Sequence, residues 1–267
     1  CQLRLLRYIH MRYYFAPMEG LTDSIYRRLH HQYFPGVDRY YMPFLSPTIH
    51  RSLTHKEDRE LPFADSVGFT AVPQVLTKIP EDFLWAAHVC HDRGYDEVNL
   101  NIGCPSGTVV SKGKGSGMLR DPAVLDAFLE EIFAKSPLPV SVKTRLGLEK
   151  GEEFPAILEV LNRYPIQELT IHPRVRKQFY DGAVDMDMFD YAVKNSVNPL
   201  CYNGDLLSLE QAQALQAKYP QIQSVMIGRG LIADPGMLSG GTDKAVLEGF
   251  MNELMAVYEV ELPPSRS

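Results

Sequence analysis

Metal-ligand spacing is missing from this sequence. Its four cysteines, Cys1, Cys90, Cys104 and Cys201, are scattered, with no C-x-x-C pair and no histidine at zinc spacing. That speaks against a metal site and against a disulfide scaffold, and suits a reducing cytoplasm. No apolar run approaches the ~18–20 residues that span a bilayer, so no membrane segment is expected. A cationic excess is missing too. The formal charge is −6 and the pI near 5.8, so contact with nucleic acid would need a local basic face. Residues 1–10 carry Arg4 and Arg7 among leucines but lack a continuous apolar core and a small-residue cleavage site. They read as an N-terminal extension, not a signal peptide.

What is present is an alternation. Short β-branched or aromatic runs at Tyr13–Ala16, Arg39–Met42, Thr70–Val75, Glu97–Asn101, Val140–Thr144, Glu168–His172, Leu200–Asn203 and Ser224–Ile227 are separated by stretches of helical length. The helices expected are Asp23–His31, Pro80–Arg93, Pro122–Ala134, Phe154–Arg163, Met186–Lys194 and Leu209–Lys218. Such βα repetition predicts a parallel sheet, and eight mostly apolar strands favour closure into a (β/α)8 TIM barrel over residues 11–238. Leu45–Leu61 is polar and Pro-containing, with no clean helical period. After Gly240–Gly241, Lys244–Val260 reads as one further amphipathic helix, so 239–267 is expected to be a short, truncated helical extension.

Polar residues gather at the carboxyl ends of these strands, where barrel enzymes build their sites. Pro17 and Met18 follow the first strand, Gln74 ends the third and Asn101 the fourth. Lys143 and Arg145 end the fifth, His172 the sixth and Asn203 the seventh, and Gly228–Arg229 follow the eighth. Asn203-Gly204-Asp205 and Gly228-Arg229-Gly230 suit a phosphate, since bare backbone can approach it and an arginine adds charge, although both are also ordinary tight turns. Lys143, on a strand otherwise of buried type, needs an anionic or electron-rich partner. Cys104 sits between Gly103 and Pro105 on a rigid turn beyond the strand end, unlike Cys90 and Cys201, which read as small core residues. Asn101 offers a donor and an acceptor to a uracil-like edge. The stretch Ser111–Gly117 reads as a mobile lid or backbone clamp.

Taken together, Ala16-Pro17-Met18-Glu19-Gly20-Leu21-Thr22-Asp23, Pro73-Gln74-Val75, Asn99-Leu100-Asn101-Ile102-Gly103-Cys104-Pro105, Val142-Lys143-Thr144-Arg145, Thr170-Ile171-His172-Pro173-Arg174, Tyr202-Asn203-Gly204-Asp205 and Ile227-Gly228-Arg229-Gly230 resemble the tRNA-dihydrouridine synthases. The resemblance runs from about Tyr13 to Leu238. It implies a cytoplasmic flavoenzyme that binds FMN, draws on NADPH or NADH, and reduces uridine in tRNA. Pro17, Met18, Gln74, Asn101, Lys143 and His172 would then hold the flavin ring, and Asn203, Gly204, Asp205, Gly228 and Arg229 its phosphate. Cys104 would protonate the base, and Lys112, Lys114, Arg174, Arg176 and Lys177 would meet the RNA. Members of that family usually continue into a helical RNA-binding domain, of which 239–267 would be a remnant. Asn99 stands where many members carry an acid.

Two other readings stay open on the residues. One is a flavin barrel acting on a free pyrimidine, of the dihydroorotate or dihydropyrimidine dehydrogenase kind. The other is a flavin- or RNA-binding protein without turnover.

Overall fold

The computed structural model describes residues 11–261; the expected extension 1–10, with Cys1, and residues 262–267 lie outside the described residues. Strands β1 (Arg12–Phe15), β2 (Arg39–Tyr41), β3 (Ala71–Val72), β4 (Gln74–Val75), β5 (Val98–Ile102), β6 (Val140–Arg145), β7 (Leu169–His172), β8 (Leu200–Asn203) and β9 (Ser224–Ile227) form one parallel sheet. Their order is β3-β2-β1-β9-β8-β7-β6-β5-β4, so the two ends of the sheet are consecutive in sequence. β3 and β4 are the halves of the single expected strand Thr70–Val75, split at Pro73, which has no N–H to give to a ladder. The Pro73 carbonyl still accepts the Asn99 amide at 2.8 Å. The architecture is therefore the expected (β/α)8 barrel, with its third strand kinked.

The outer helices begin where the chain supplies caps. Side chains of Asp23, Asp121, Asp185 and Ser208 accept first-turn amides of α1 (Ser24–Tyr33), α5 (Pro122–Lys135), α7 (Met186–Asn195) and α8 (Leu209–Lys218). α3 (Pro80–Asp92) and α5 both carry proline in the first turn, where no donor is lost. The irregular second crossover holds one short helix, α2 (His55–Glu60), opened by a Thr54–Glu57 capping box. The four-residue helix α4 (Gly107–Val110) follows β5, α6 (Phe154–Leu161) follows β6, and the five-residue α9 (Arg229–Ala233) follows β9.

Strand alternation sorts the core. On β5, Val98, Leu100 and Ile102 join the outer core with Phe83 and Leu129 of the helices, each such burial stabilising by about 1.5–3 kcal/mol. The intervening Asn99 and Asn101 therefore face the barrel axis. On β6, Val140 and Val142 likewise join the outer core, which turns Ser141, Lys143 and Arg145 inward. Inside the barrel a separate small cluster of Tyr14, Ala16, Tyr41, Val72, Cys201 and Met226 fills the space. At the amino-terminal end, Arg12 pairs with Glu168 at 3.2 Å and Arg39 with Glu97 at 2.7 Å.

The last described helix, Lys244–Glu261, lies back against α1 through Phe250 and Leu254, which pack on Ile25, Leu29 and Phe34. Tyr258 Oη donates to Asp23 Oδ2 at 2.9 Å. No helix among the described residues is long and apolar enough to cross a membrane, and no metal-binding cluster occurs among them.

Candidate active site at the barrel mouth

A cavity of about 400 Å³ opens at the carboxyl ends of the strands, within the size range of small-molecule sites. Cys104 and all eleven residues expected to hold a flavin line it. The five residues expected to meet RNA do not. Arg145, Tyr180, Pro43 and Phe44 line it as well. Arg145 was legible, being two residues beyond Lys143 on the same strand face; Tyr180 lies on a loop with no periodic signal.

Cys104 is half-buried, while Cys90 and Cys201 are fully buried, as their places on a helix and a strand imply. Every backbone group around Cys104 is held. Asn101 Oδ1 accepts the amides of Gly103 at 3.0 Å and Cys104 at 2.9 Å. Arg145 Nε donates to the Gly103 carbonyl at 3.0 Å, and Arg176 Nε to the Pro105 carbonyl at 3.2 Å. Ser116 holds the Cys104 carbonyl from below through both its amide and its hydroxyl. Of the two readings of Ser111–Gly117, this packing fits the backbone clamp, with Gly115 and Ser116 buried against the cysteine turn and Ser111 and Lys112 exposed. Gly115, at φ +57°, lies so close that a Cβ there would come within 2.9 Å of the Cys104 Cβ, and Ser116 is completely buried.

Asn101 is also corrected. Its carbonyl oxygen is spent on the cysteine turn, and its amide donates to Gln74 Oε1 at 2.8 Å. Gln74 in turn donates to Asn99 Oδ1 at 2.7 Å, and Asn99 to Ser141 Oγ at 2.8 Å. This relay fixes Asn101 as the holder of the turn, leaving one N–H for a ligand.

Burial pushes the Lys143 ammonium down to about 8, helped by the neighbouring Arg145. Lys143 has no acceptor or carboxylate partner among the described residues. Burial also lowers Arg145, to about 10. His172 is held neutral by burial and then by the charges of Arg145, Lys143, Arg174 and Arg229. Arg174 Nη1 lies 3.0 Å from His172 Nε2. Since a guanidinium only donates, Nε2 accepts and the ring proton sits on Nδ1.

Arg174 is completely buried. It pairs with Asp205, Nη1 to Oδ1 at 3.1 Å, and donates to the Gly182 carbonyl. It therefore has no surface to offer RNA, because the loop after β7 folds over it. Asp205 also holds Arg229, and these two arginines keep its carboxyl below the usual range, the Arg174 hydrogen bond first. A carboxylate so engaged positions arginines and is a poor phosphate ligand itself. Lys177 is exposed but faces Glu149 at 3.7 Å. Lys112 is exposed, and Lys114 is half-buried with its amine 3.3 Å from Ser46 Oγ. Tyr180 stands at the rim with the guanidinium carbons of Arg145 and Arg229 at 5.3 and 5.5 Å from its ring centre.

The chain matches the family model described as dihydrouridine synthase over residues 14–262. It is 30% identical over 249 residues to tRNA-dihydrouridine synthase B of Pasteurella multocida, covering 91% of this chain and 74% of that protein. It is 31% identical over 229 residues to a probable tRNA-dihydrouridine synthase of Synechocystis, covering 85% and 63%. Among solved structures, a morphinone reductase variant in complex with tetrahydroNAD superposes with a TM-score of 0.58 at 13% identity, covering 91% of this chain and 87% of that one. That likeness concerns the fold.

Proposed function

Since the chain belongs to the dihydrouridine synthase family, we propose that it reduces uridine in tRNA to 5,6-dihydrouridine with bound FMN. The observation that carries the reading is Cys104, a thiol on a turn whose backbone is held by six hydrogen bonds, at the rim of a cavity whose floor holds an unpartnered lysine.

The residues present suit a flavin. Lys143 offers a cation to the electron-rich pyrimidine edge of the ring, and the neutral His172 offers its Nδ1 proton. Gly204 and Gly228 leave backbone bare: a Cβ on Gly204 would fall on the Tyr202 hydroxyl, and one on Gly228 would press on Ala16 and Met18 at 3.3 Å. With Asn203 and Arg229, they are suited to its phosphate. Bound there, FMN would supply hydride chemistry toward C6 of the base, with NADPH or NADH as the reductant.

The chain's own part is the proton. The Cys104 Sγ–H passes its proton to C5 as the C5–C6 π bond opens, so one C–H bond forms at each carbon and the thiolate is reprotonated from solvent. Arg145 and Tyr180 stand where the base must enter, and a base drawn from folded RNA has to leave its stack to reach them. A tRNA substrate and the scattered, unpaired cysteines support a cytoplasmic location. Nucleoside analysis of tRNA from a strain lacking the gene should show dihydrouridine missing at one position. Unchanged dihydrouridine, with turnover of free uracil or dihydroorotate by the purified protein, would assign the site to a free pyrimidine instead.

A further inference from the structure

Many cations among the described residues are matched by a carboxylate, though Arg59, Arg120, Lys150 and Lys194, scattered over the surface, are not. Arg12, Arg28, Arg93, Arg163, Lys218 and Lys244 each hold a carboxylate. Lys78, Lys112 and Lys114 do not: among the described residues none of them has a carboxylate at ion-pair distance, and the Lys114 amine reaches only the Ser46 hydroxyl. They come from the loops after β4 and β5 and meet beside the cysteine turn. A Cβ on Gly113 would meet Lys78 Cδ at 3.4 Å and Nζ at 3.6 Å, ordinary contact distances, so the Lys78 side chain lies alongside the backbone between Lys112 and Lys114.

On the other flank of the Gly107–Val110 helix stands Arg176, likewise without a carboxylate, its Nη2 3.8 Å from where a Gly107 side chain would begin. Between them the surface is small and polar, with Gly107, Thr108 and Ser111 exposed. Like charges gathered without counter-charges repel one another and cost stability unless an anion is shared between them. A smooth, small-residue strip between them lets a polyanion backbone lie close.

We infer that Lys78, Lys112 and Lys114, continued by Arg176, form the track for the RNA phosphates flanking the target uridine, so that the strand crosses the mouth on the β4–β5 side. The inference rests on the reading of tRNA as substrate, and it removes Arg174 and Lys177, already engaged with Asp205 and Glu149, from the contact set. Each phosphate neutralised adds roughly 0.7 to 0.9 to the slope of log affinity against log salt.

The test uses the full chain and an unmodified tRNA transcript over a salt series. The variant Lys78→Gln/Lys112→Gln/Lys114→Gln should lower the salt slope by about 2 to 3 and raise KM for tRNA at least 10-fold. Flavin content and kcat at saturating tRNA should hold. A charge-matched control, Lys135→Gln/Lys194→Gln/Lys218→Gln, removes three cations at the carboxyl ends of α5, α7 and α8, the opposite face of the barrel, and should leave slope and KM alone. Equal slopes in both triple variants, with wild-type protein active, would overturn the track while sparing the proposed function. Phosphatidylserine vesicles bound through the same lysines, with tRNA affinity unchanged, would assign the strip to a membrane and overturn it as well. Wild-type protein that binds tRNA on these lysines yet reduces no uridine would sink the functional reading instead.

Discussion

Ser116 gives two hydrogen bonds to one atom, the carbonyl oxygen of Cys104, its amide at 3.1 Å and its hydroxyl at 2.9 Å. A buried side chain spent entirely on the backbone of a reactive residue sets where that residue's thiol stands. Ser116→Ala keeps the amide bond and loses the other. The turn should loosen by a fraction of an ångström, enough to cost roughly 10-fold in kcat, with KM for tRNA and flavin content unchanged. Single-turnover rates on a tRNA transcript are the measurement; a wild-type rate would mean that the turn needs no support from below.

Cys104→Ala should retain flavin and oxidise NADPH, yet lose uridine reduction by roughly 100- to 10,000-fold. Cys90→Ala and Cys201→Ala should instead lower the melting temperature and leave the rate nearly intact, since both thiols are buried in the core. A Cys104→Ala enzyme as fast as wild type would remove the thiol from the reaction.

Lys143 makes ligand binding depend on pH. In the free protein its ammonium loses its proton at about 8, so above that pH the folded site holds a neutral amine. An electron-rich ring edge favours the cation and lifts that value again, so FMN should take up a proton on binding near pH 8.5 and bind more weakly as pH rises further. Titration calorimetry in two buffers of different ionisation enthalpy counts the proton. Lys143→Met should abolish the uptake, and a wild-type protein that takes up none would detach Lys143 from the ligand.

Asp205 and Arg229 separate a structural from a binding role. Asp205→Asn leaves the buried Arg174 without its carboxylate, which should destabilise by roughly 2–3 kcal/mol, below the range for a fully buried pair because Asp205 is partly open to solvent. Arg229 is half-exposed, so Arg229→Ala should fold normally and weaken FMN by about 10-fold or more, the loss of a charge-assisted bond of roughly 1.5–3 kcal/mol. Denaturant melts and flavin titrations distinguish them. Asp205→Asn melting like wild type, or Arg229→Ala binding like wild type, would each reverse its assignment.

Much of this was legible in the chain. Strand periodicity placed Lys143 and His172 on the mouth because period-2 alternation forces the polar residue inward when its neighbours join the outer core, and β8 and β9 run over the residues expected. Alternation says nothing of partners, however. Arg174 looked like an exposed cation because its burial depends on a loop folding over it and on Asp205, thirty-one positions away. Asn101 looked free because the turn that consumes its oxygen is made of backbone amides, which carry no residue-type signal. Pro73 was visible as a proline within a strand run, but only the closed ring shows that its carbonyl still serves β5. The Ser111–Gly117 stretch has a loop's composition, and its packing beneath Cys104 is a tertiary fact.

The ring has a consequence for how the chain is made. β1 pairs with β9 from Arg12–Ser224 to Phe15–Ile227, and the helix after β1 is covered by the last described helix. β1 therefore keeps one edge unpaired, and α1 keeps an apolar face uncovered, until more than two hundred further residues have left the ribosome. Such late, long-range closure slows folding and leaves an aggregation-prone intermediate for the whole of synthesis. During that interval the nascent barrel, more than the finished one, is the species that chaperones must shield.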